Sequence, residues 1–343
     1  PVTAALHLRF AGPGVTLQDS GRRGFSRWGV TGCGAMDPVA LRLANAALGL
    51  PPDRPVIEVS LGGVDLEAEG TAIDLAVVGG AFAVSLDGRP LPSAVALRLE
   101  PGARLSLRPG PSGAWAAIAI GGRLDVAPVL GSVSTHTRSG LGGPSGRALM
   151  SGDRIAVTDL LRRVDTPSAI DLGSEPSGPI RVLLGPQDDH FASDEIAAFL
   201  GRDWRLSPRS DRMAYALDGE PLRHARGHDI VSDAVAHGAI QVPGSGLPFV
   251  LMADRQPTGG YPKIATVIGA DLGRMAQIRP GEPVRFRAVG LAEAVAARAA
   301  LAARLAQPPR LEPLVRSDFT SEMLLALDLV GAFVDASADP FAG

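Results

Sequence analysis

Residues 56–108 read VIEVSLGGVDLEAEGTAIDLAVVGGAFAVSLDGRPLPSAVALRLEPGARLSLR, and this stretch decides the fold. Its apolar residues fall in short β-type runs, VIEV, IDLAVV, AFAVSL, AVALRL and ARLSL, each cut off by Gly or Pro turns. Strands at this close, regular spacing imply a barrel or a sandwich. Another buried run follows over 115–120.

Toward the N-terminus, residues 6–10 alternate as a strand and lead into GPGVTLQDSGRRGFSRWGVTGCGAMD, residues 12–37. This is a long loop, and Val15, Leu17, Phe25, Trp28 and Val30 argue that it is ordered. Asp37 before Pro38 is an N-cap followed by a proline at the first helical position, so a helix is expected to about Leu48, ending at Gly49. Leu41, Ala44 and Leu48 share one of its faces.

Toward the C-terminus, the Gly-rich segment SVSTHTRSGLGGPSGRALMSGD covers 132–153, and a strand near 153–157 closes a first unit. Residues 161–178 read as a linker. A second unit opens with the strand IRVLL from Ile180, then a short helix capped by Ser193 or Asp194 and ending at Gly201, then β structure again at 204–206. Three apolar runs, 239–242, 249–253 and 264–268, give strand, turn, strand, loop, strand. LDGxPL occurs twice, at 86–91 and 217–222, and each unit ends in a Pro-Gly turn before an Arg-bearing strand. Their shared order predicts two related β domains. The expected organisation is a first domain over 1–160, a linker over 161–178, a second domain over 179–290, and a helical tail over 291–343. In the tail, 291–307 and 321–334 are helix formers that would pack on a barrel or against a partner.

Composition narrows the function. With 343 residues and 45% hydrophobic content, the chain can bury more than one core. A formal net charge of -3 with Arg and Asp intermixed argues against a nucleic-acid footprint. The single cysteine, Cys33, excludes a disulfide framework or a cysteine metal cluster. No apolar run spans a bilayer and the N-terminus lacks signal-peptide order, so a soluble, cytoplasmic protein is expected. There is no serine nucleophile elbow, Walker loop or dinucleotide fingerprint. His224 and His228 have the spacing of a helical zinc pair, but Pro221 and Gly227 argue against a helix there, and no metal is expected.

The chemistry gathers in four polar loops, at 18–37, 136–147, 210–213 and 254–263. The last, DRQPTGGYPK, sets an acid, a guanidinium, an amide, a hydroxyl and an ammonium within ten positions on rigid strands. Arg255 offers a planar fork for a carboxylate or phosphate, Lys263 a point charge, and Gly259 and Gly260 bare backbone amides. Loops of this kind meeting at a barrel rim would suit a small acid or an activated phosphate or carboxylate.

VTLQDSGRRGF, GCGAMDPVALRLANAALG, SDRMAYALDG, GAIQVPGSGLPFVLMADRQPTGGYPKIATVI and DLGRMAQIRPGEPVRF together resemble the biotin-dependent carboxyltransferase-like family. Its members include subunits of bacterial ATP-dependent 5-oxoprolinases, the second half of the carboxyltransferase domain of urea amidolyases, and regulatory proteins of the KipA type. The resemblance implies a mainly β fold of two cyclophilin-like barrels and a role as an enzyme subunit, inactive alone, acting with partner subunits A and B on a small carboxylic acid or amide, with the opening of 5-oxo-L-proline to L-glutamate as the leading expectation. It implies ATP as cosubstrate, bound by this chain or by one of its partners. Two alternatives are carboxyl transfer from carboxybiotin to urea or a similar amide, and regulatory binding without turnover. The family pattern maps onto Gln18, Asp19, Arg22, Met36, Asp37, Asn45, Ser139, Arg147, Ser210, Asp211, Arg212, Gln241, Asp254, Arg255, Gln256, Thr258, Gly259, Gly260, Tyr261 and Lys263. It implies catalytic roles for Asp19, Asp211, Asp254, Arg255 and Lys263, and substrate binding for the others. Cys33 stands where the family has Ser, and Pro257 where it has Thr.

Overall fold

The computed structural model describes residues 4–174 and 176–315. The architecture is mainly β, with 36% strand against 14% helix, as expected from the short apolar runs. Two large sheets carry it. The first has 12 strands and is built on two long antiparallel partners, Ile73–Leu86 and Arg104–Ile120. Ala4–Ala11, Val56–Val59, Val64–Glu69, Val95–Leu99 and Arg154–Thr158 join them. Leu6, Leu8, Ile57, Leu66, Leu75, Leu97 and Ile118 fill its core, each wholly buried.

The long strands correct one expectation. Gly79 and Gly80 are not a turn between two strands but a bend within one, where the register to the partner strand shifts. The reason is close backbone approach: a Cβ at Gly79 would lie 2.4 Å from the Trp115 carbonyl oxygen, and one at Gly110 1.8 Å from that of Ala81.

The second sheet has eight strands in the order Pro283–Val284, Trp204–Leu206, Ala214–Asp218, Phe249–Leu251, Ala239–Gln241, Lys263–Val267, Ile180–Leu184, Phe286–Ala288. Its first and last members are separated in the chain by Arg285 alone, so the two edges of the sheet come from neighbouring residues and the sheet curls nearly shut. Trp204, Phe199 and Phe286 pack inside with Ile240, Val250 and Ile264.

The repeated LDGxPL motif serves two purposes. In the first copy Asp87 and Gly88 both have positive φ and form the two-residue turn joining Ile73–Leu86 to Arg89–Leu91. In the second copy no strand follows, and Gly219 is small because Trp204 leaves no room, a Cβ there lying 2.7 Å from the ring.

Asp37 caps the helix Pro38–Ala47 as expected, accepting from the Val39 and Ala40 amides. The helix Ser193–Gly201 begins after Ala192 with no side-chain cap, so neither Ser193 nor Asp194 plays the expected part. Residues read as a linker carry a strand, Ser168–Asp171, which pairs with Val95–Leu99 on one side and Arg310–Pro313 on the other. The chain therefore returns to the first sheet after the helix Leu291–Leu305. The second expected helix, 321–334, lies outside the described residues.

The two sheets meet at a polar seam. The Gln277 side chain accepts from the Ala114 and Trp115 amides and donates to Asp37 and to the Trp115 carbonyl. Arg279 donates to the Gly110 and Gly113 carbonyls. Gln277→Ala would strand two buried amide donors, at about 1–3 kcal/mol for such a loss. We expect a lower urea midpoint with an unchanged slope. An unchanged midpoint would remove Gln277 from the seam.

Candidate active site

A cleft of about 410 Å³ opens where the sheets join. Trp115, Leu61 and Pro13 from the first half and Leu206, Tyr215 and Ile278 from the second give it an apolar wall. Its polar groups are His136, Arg138, Ser210, Asp211, Arg212 and Asp254, brought by three of the four polar loops. The Trp115 indole donates to the Tyr215 hydroxyl at 2.8 Å, which donates to the Ala276 carbonyl. That chain of bonds fixes the wall.

Arg212 organises the polar side. It donates to both oxygens of Asp254 at 2.9 Å, to the Gly34 carbonyl at 2.7 Å, and to Glu58. Its guanidinium also lies 5.9 Å from the Trp115 ring centre. Glu58 stands on Val56–Val59, where all four residues are buried, and accepts from the Met36 amide at 2.6 Å. One cation thus serves two buried carboxylates, Glu58 from a strand of the first sheet and Asp254 from the turn after Phe249–Leu251 of the second. Burial alone would lower the Arg212 guanidinium, but the attraction of Glu58 and Asp254 outweighs it and raises it. Burial pushes Glu58 up to about 7, against the pull of Arg212 and the Met36 amide.

A carboxyl raised in the fold stabilises it fully below its ordinary value of 4.5, and that contribution is lost as pH rises through about 7. The wild-type chain should therefore lose stability from about pH 5 to pH 8, and Glu58→Gln, fixed in the neutral form, should lose much less. Parallel urea midpoints for the two proteins across that range would contradict the assignment.

Burial, with the charge of Asp254, raises the Cys33 thiol to about 12, so it stays protonated and is no nucleophile. His136 is held below its ordinary value by burial and by the guanidiniums of Arg212, Arg22 and Arg138. Its Nδ1 shares a hydrogen bond with the Ser139 hydroxyl.

The structure sorts the residues named from the sequence. Ser210, Asp211, Arg212 and Asp254 line the cleft. The others have different tasks. Asp19 is buried and accepts from the Gly21 and Val133 amides and from Ser132 and Ser134, which ties the loop after Gln18 to residues 132–134. Arg22 donates through Nε and Nη2 to the carbonyls of Val129, Ser132 and Ser134. Gln18 donates to Thr16 and the Thr135 carbonyl, and Asn45 to the Arg54 carbonyl. Met36 is core and Asp37 a cap, while Arg147 forks onto Asp153.

Arg255 and Lys263, expected to grip an anion, do not line this cleft. Arg255 donates to the Val235 and Met252 carbonyls. Lys263 is 2% exposed and donates to Asp233 and the Ala234 carbonyl. It anchors a two-stranded arm, Asp233–Ala234 against Thr258–Gly259, outside the cleft. Gln241 donates to the Tyr261 carbonyl and explains Gly259, where a Cβ would lie 2.5 Å from its amide nitrogen. Gln256 and Gly260 lie within the same loop, and Tyr261 is 43% exposed. Glu58 and Trp115 were missed. The signal for Glu58 was a lone acid in the apolar run VIEV.

No helix among the described residues is long and apolar enough to cross a membrane, and they hold no cluster suited to a metal. Residues 28–288 match the family described as the carboxyltransferase domain, subdomain A and B. The chain is 38% identical over 289 residues to the C subunit of 5-oxoprolinase from Escherichia coli, covering 84% of this chain and 92% of that protein. The corresponding Haemophilus influenzae protein is 37% identical over 287 residues, covering 83% and 91%. Among solved structures, the urea amidolyase of K. lactis superposes with a TM-score of 0.80 at 27% identity, over 88% of this chain but only 20% of that one.

Proposed function

The chain belongs to the carboxyltransferase-domain family, subdomains A and B, and on that premise we propose that it is the C subunit of an ATP-dependent 5-oxoprolinase, acting with subunits A and B to open 5-oxo-L-proline to L-glutamate. The observation that carries this reading is the similarity to the Escherichia coli protein along nearly the whole of its length. The cleft agrees with it. A lactam ring is flat and largely apolar and fits against Trp115, while its N–H finds an acceptor in Asp254, which Arg212 holds in place.

The cleft does not suit a triphosphate. Its two guanidiniums are matched by Asp211 and Asp254, with Glu58 behind, so no surplus of positive charge is left for several phosphate oxygens. ATP would then be held by a partner subunit. This chain's residues bind and orient the lactam there, and Asp254 would accept the lactam N–H proton as the ring oxygen takes the terminal phosphoryl group of ATP and ADP leaves. It would then return that proton to the nitrogen when water attacks the ring carbon and phosphate departs. We expect the isolated chain to be inactive.

The test is reconstitution. The chain purified with subunits A and B should form glutamate from 5-oxo-L-proline only when ATP is present. Turnover that avidin abolishes and that requires bicarbonate would instead place it with biotin-dependent carboxyl transfer. Partner binding without turnover would place it with the regulatory proteins.

A further inference from the structure

We propose that Arg138 recognises the carboxylate of the substrate, exchanging its ion pair with Asp211 for one with the bound acid. The inference rests on the cleft being the lactam site. Two guanidiniums line that cleft, and they differ in freedom. Arg212 is 12% exposed and fixed by two carboxylates and a carbonyl, so redirecting it would leave buried charges unpaired.

Arg138 is the opposite case. Its side chain is 60% exposed, and its described hydrogen bond is a single one, to Asp211 at 3.1 Å, with Asp211 itself 51% exposed. An exposed pair of this kind holds by only about 0–1 kcal/mol. Asp211 does not depend on it, since its other oxygen accepts from the Met213 and Ala214 amides at 2.8 and 3.1 Å. Breaking the pair leaves both partners solvated and Asp211 in place. The released guanidinium has a planar fork of donors matched to a carboxylate.

Arg138 is also presented on a firm support. Residues 136 and 141 bond to each other in both directions, at 2.8 and 3.2 Å, and close a tight turn with Arg138 near its tip. The turn comes from the first half of the chain and Asp211 from the second. A substrate acid entering between them meets a cation aimed across the mouth, while its ring reaches Trp115 below.

The experiment compares 5-oxo-L-proline with its primary amide, 5-oxo-L-prolinamide, using the complete complex with subunits A and B. For the wild-type complex we expect the acid to be strongly preferred. In Arg138→Gln, KM for the acid should rise roughly 10- to 100-fold with kcat little changed, the size of a lost charged hydrogen bond. KM for the amide should barely move, so the preference disappears, and Arg138→Lys should restore part of it. Because the residue is exposed, the variant should fold normally, which an unchanged urea midpoint would show. An intact preference in Arg138→Gln overturns the inference while leaving the proposed function standing. A wild-type complex that turns over neither compound overturns the proposed function, and this inference with it.

Discussion

Arg212→Met should cost more than any other single substitution, in stability and in activity together. The guanidinium is the shared counter-ion of Glu58 and Asp254 and also satisfies the Gly34 carbonyl. Removing it leaves two carboxyl groups facing one another at the junction of the sheets. Glu58 can take up a proton, but Asp254 then remains as a buried charge without a partner. Breaking a buried pair from one side costs about 3–5 kcal/mol, a large share of the stability of most domains. Activity in the complex should fall at least about 100-fold, since the group that orients Asp254 is gone. Arg212→Lys should rescue little, because one ammonium cannot reproduce a fork that meets two carboxylates and a carbonyl. Near-normal stability of Arg212→Met would show that the three-way pairing does not hold the halves together.

Asp254→Asn should separate chemistry from folding. Asparagine keeps the shape and can still accept from Arg212, whose other partner, Glu58, remains. Stability should change modestly while kcat falls roughly 100-fold, the usual size of a lost proton acceptor. A second effect is specific to this arrangement. The charge of Asp254 is one of the causes that hold Glu58 high. Neutralising it should move the stability transition from about 7 toward lower pH. A variant with wild-type kcat would exclude Asp254 from the reaction. One whose transition stays at its wild-type pH would show the two carboxylates to be uncoupled.

Much of the architecture was legible from periodicity alone, because short strands and their turns are local features. The helix behind Asp37-Pro38 and the three strands between 237 and 268 were readable for that reason. Gly79-Gly80 was misread, since a bend and a turn share the same residues and differ only in what lies opposite. The strands Ser168–Asp171 and Arg310–Pro313 were invisible because each exists only through its partner. The site shows the same limit. The loop from Asp254 to Lys263 drew attention by its residue types, and Asp254 does face the cleft. Arg255 and Lys263 have equally suggestive side chains, yet neither lines the cleft, and the fold turns donors of each toward backbone carbonyls and Asp233. Sequence supplies the donors, whereas only the fold shows which acceptors come first. Arg212 gained its importance from Glu58, 154 positions away in the chain.

The most direct test of the central claim is a crystal structure of the complex with 5-oxo-L-proline bound. The account predicts density for the lactam in the cleft against Trp115, its N–H toward Asp254 and its carboxylate toward Arg138. Density for the ligand beside Lys263 and the Asp233–Ala234 arm, or wholly within a partner subunit with this cleft empty, would contradict it.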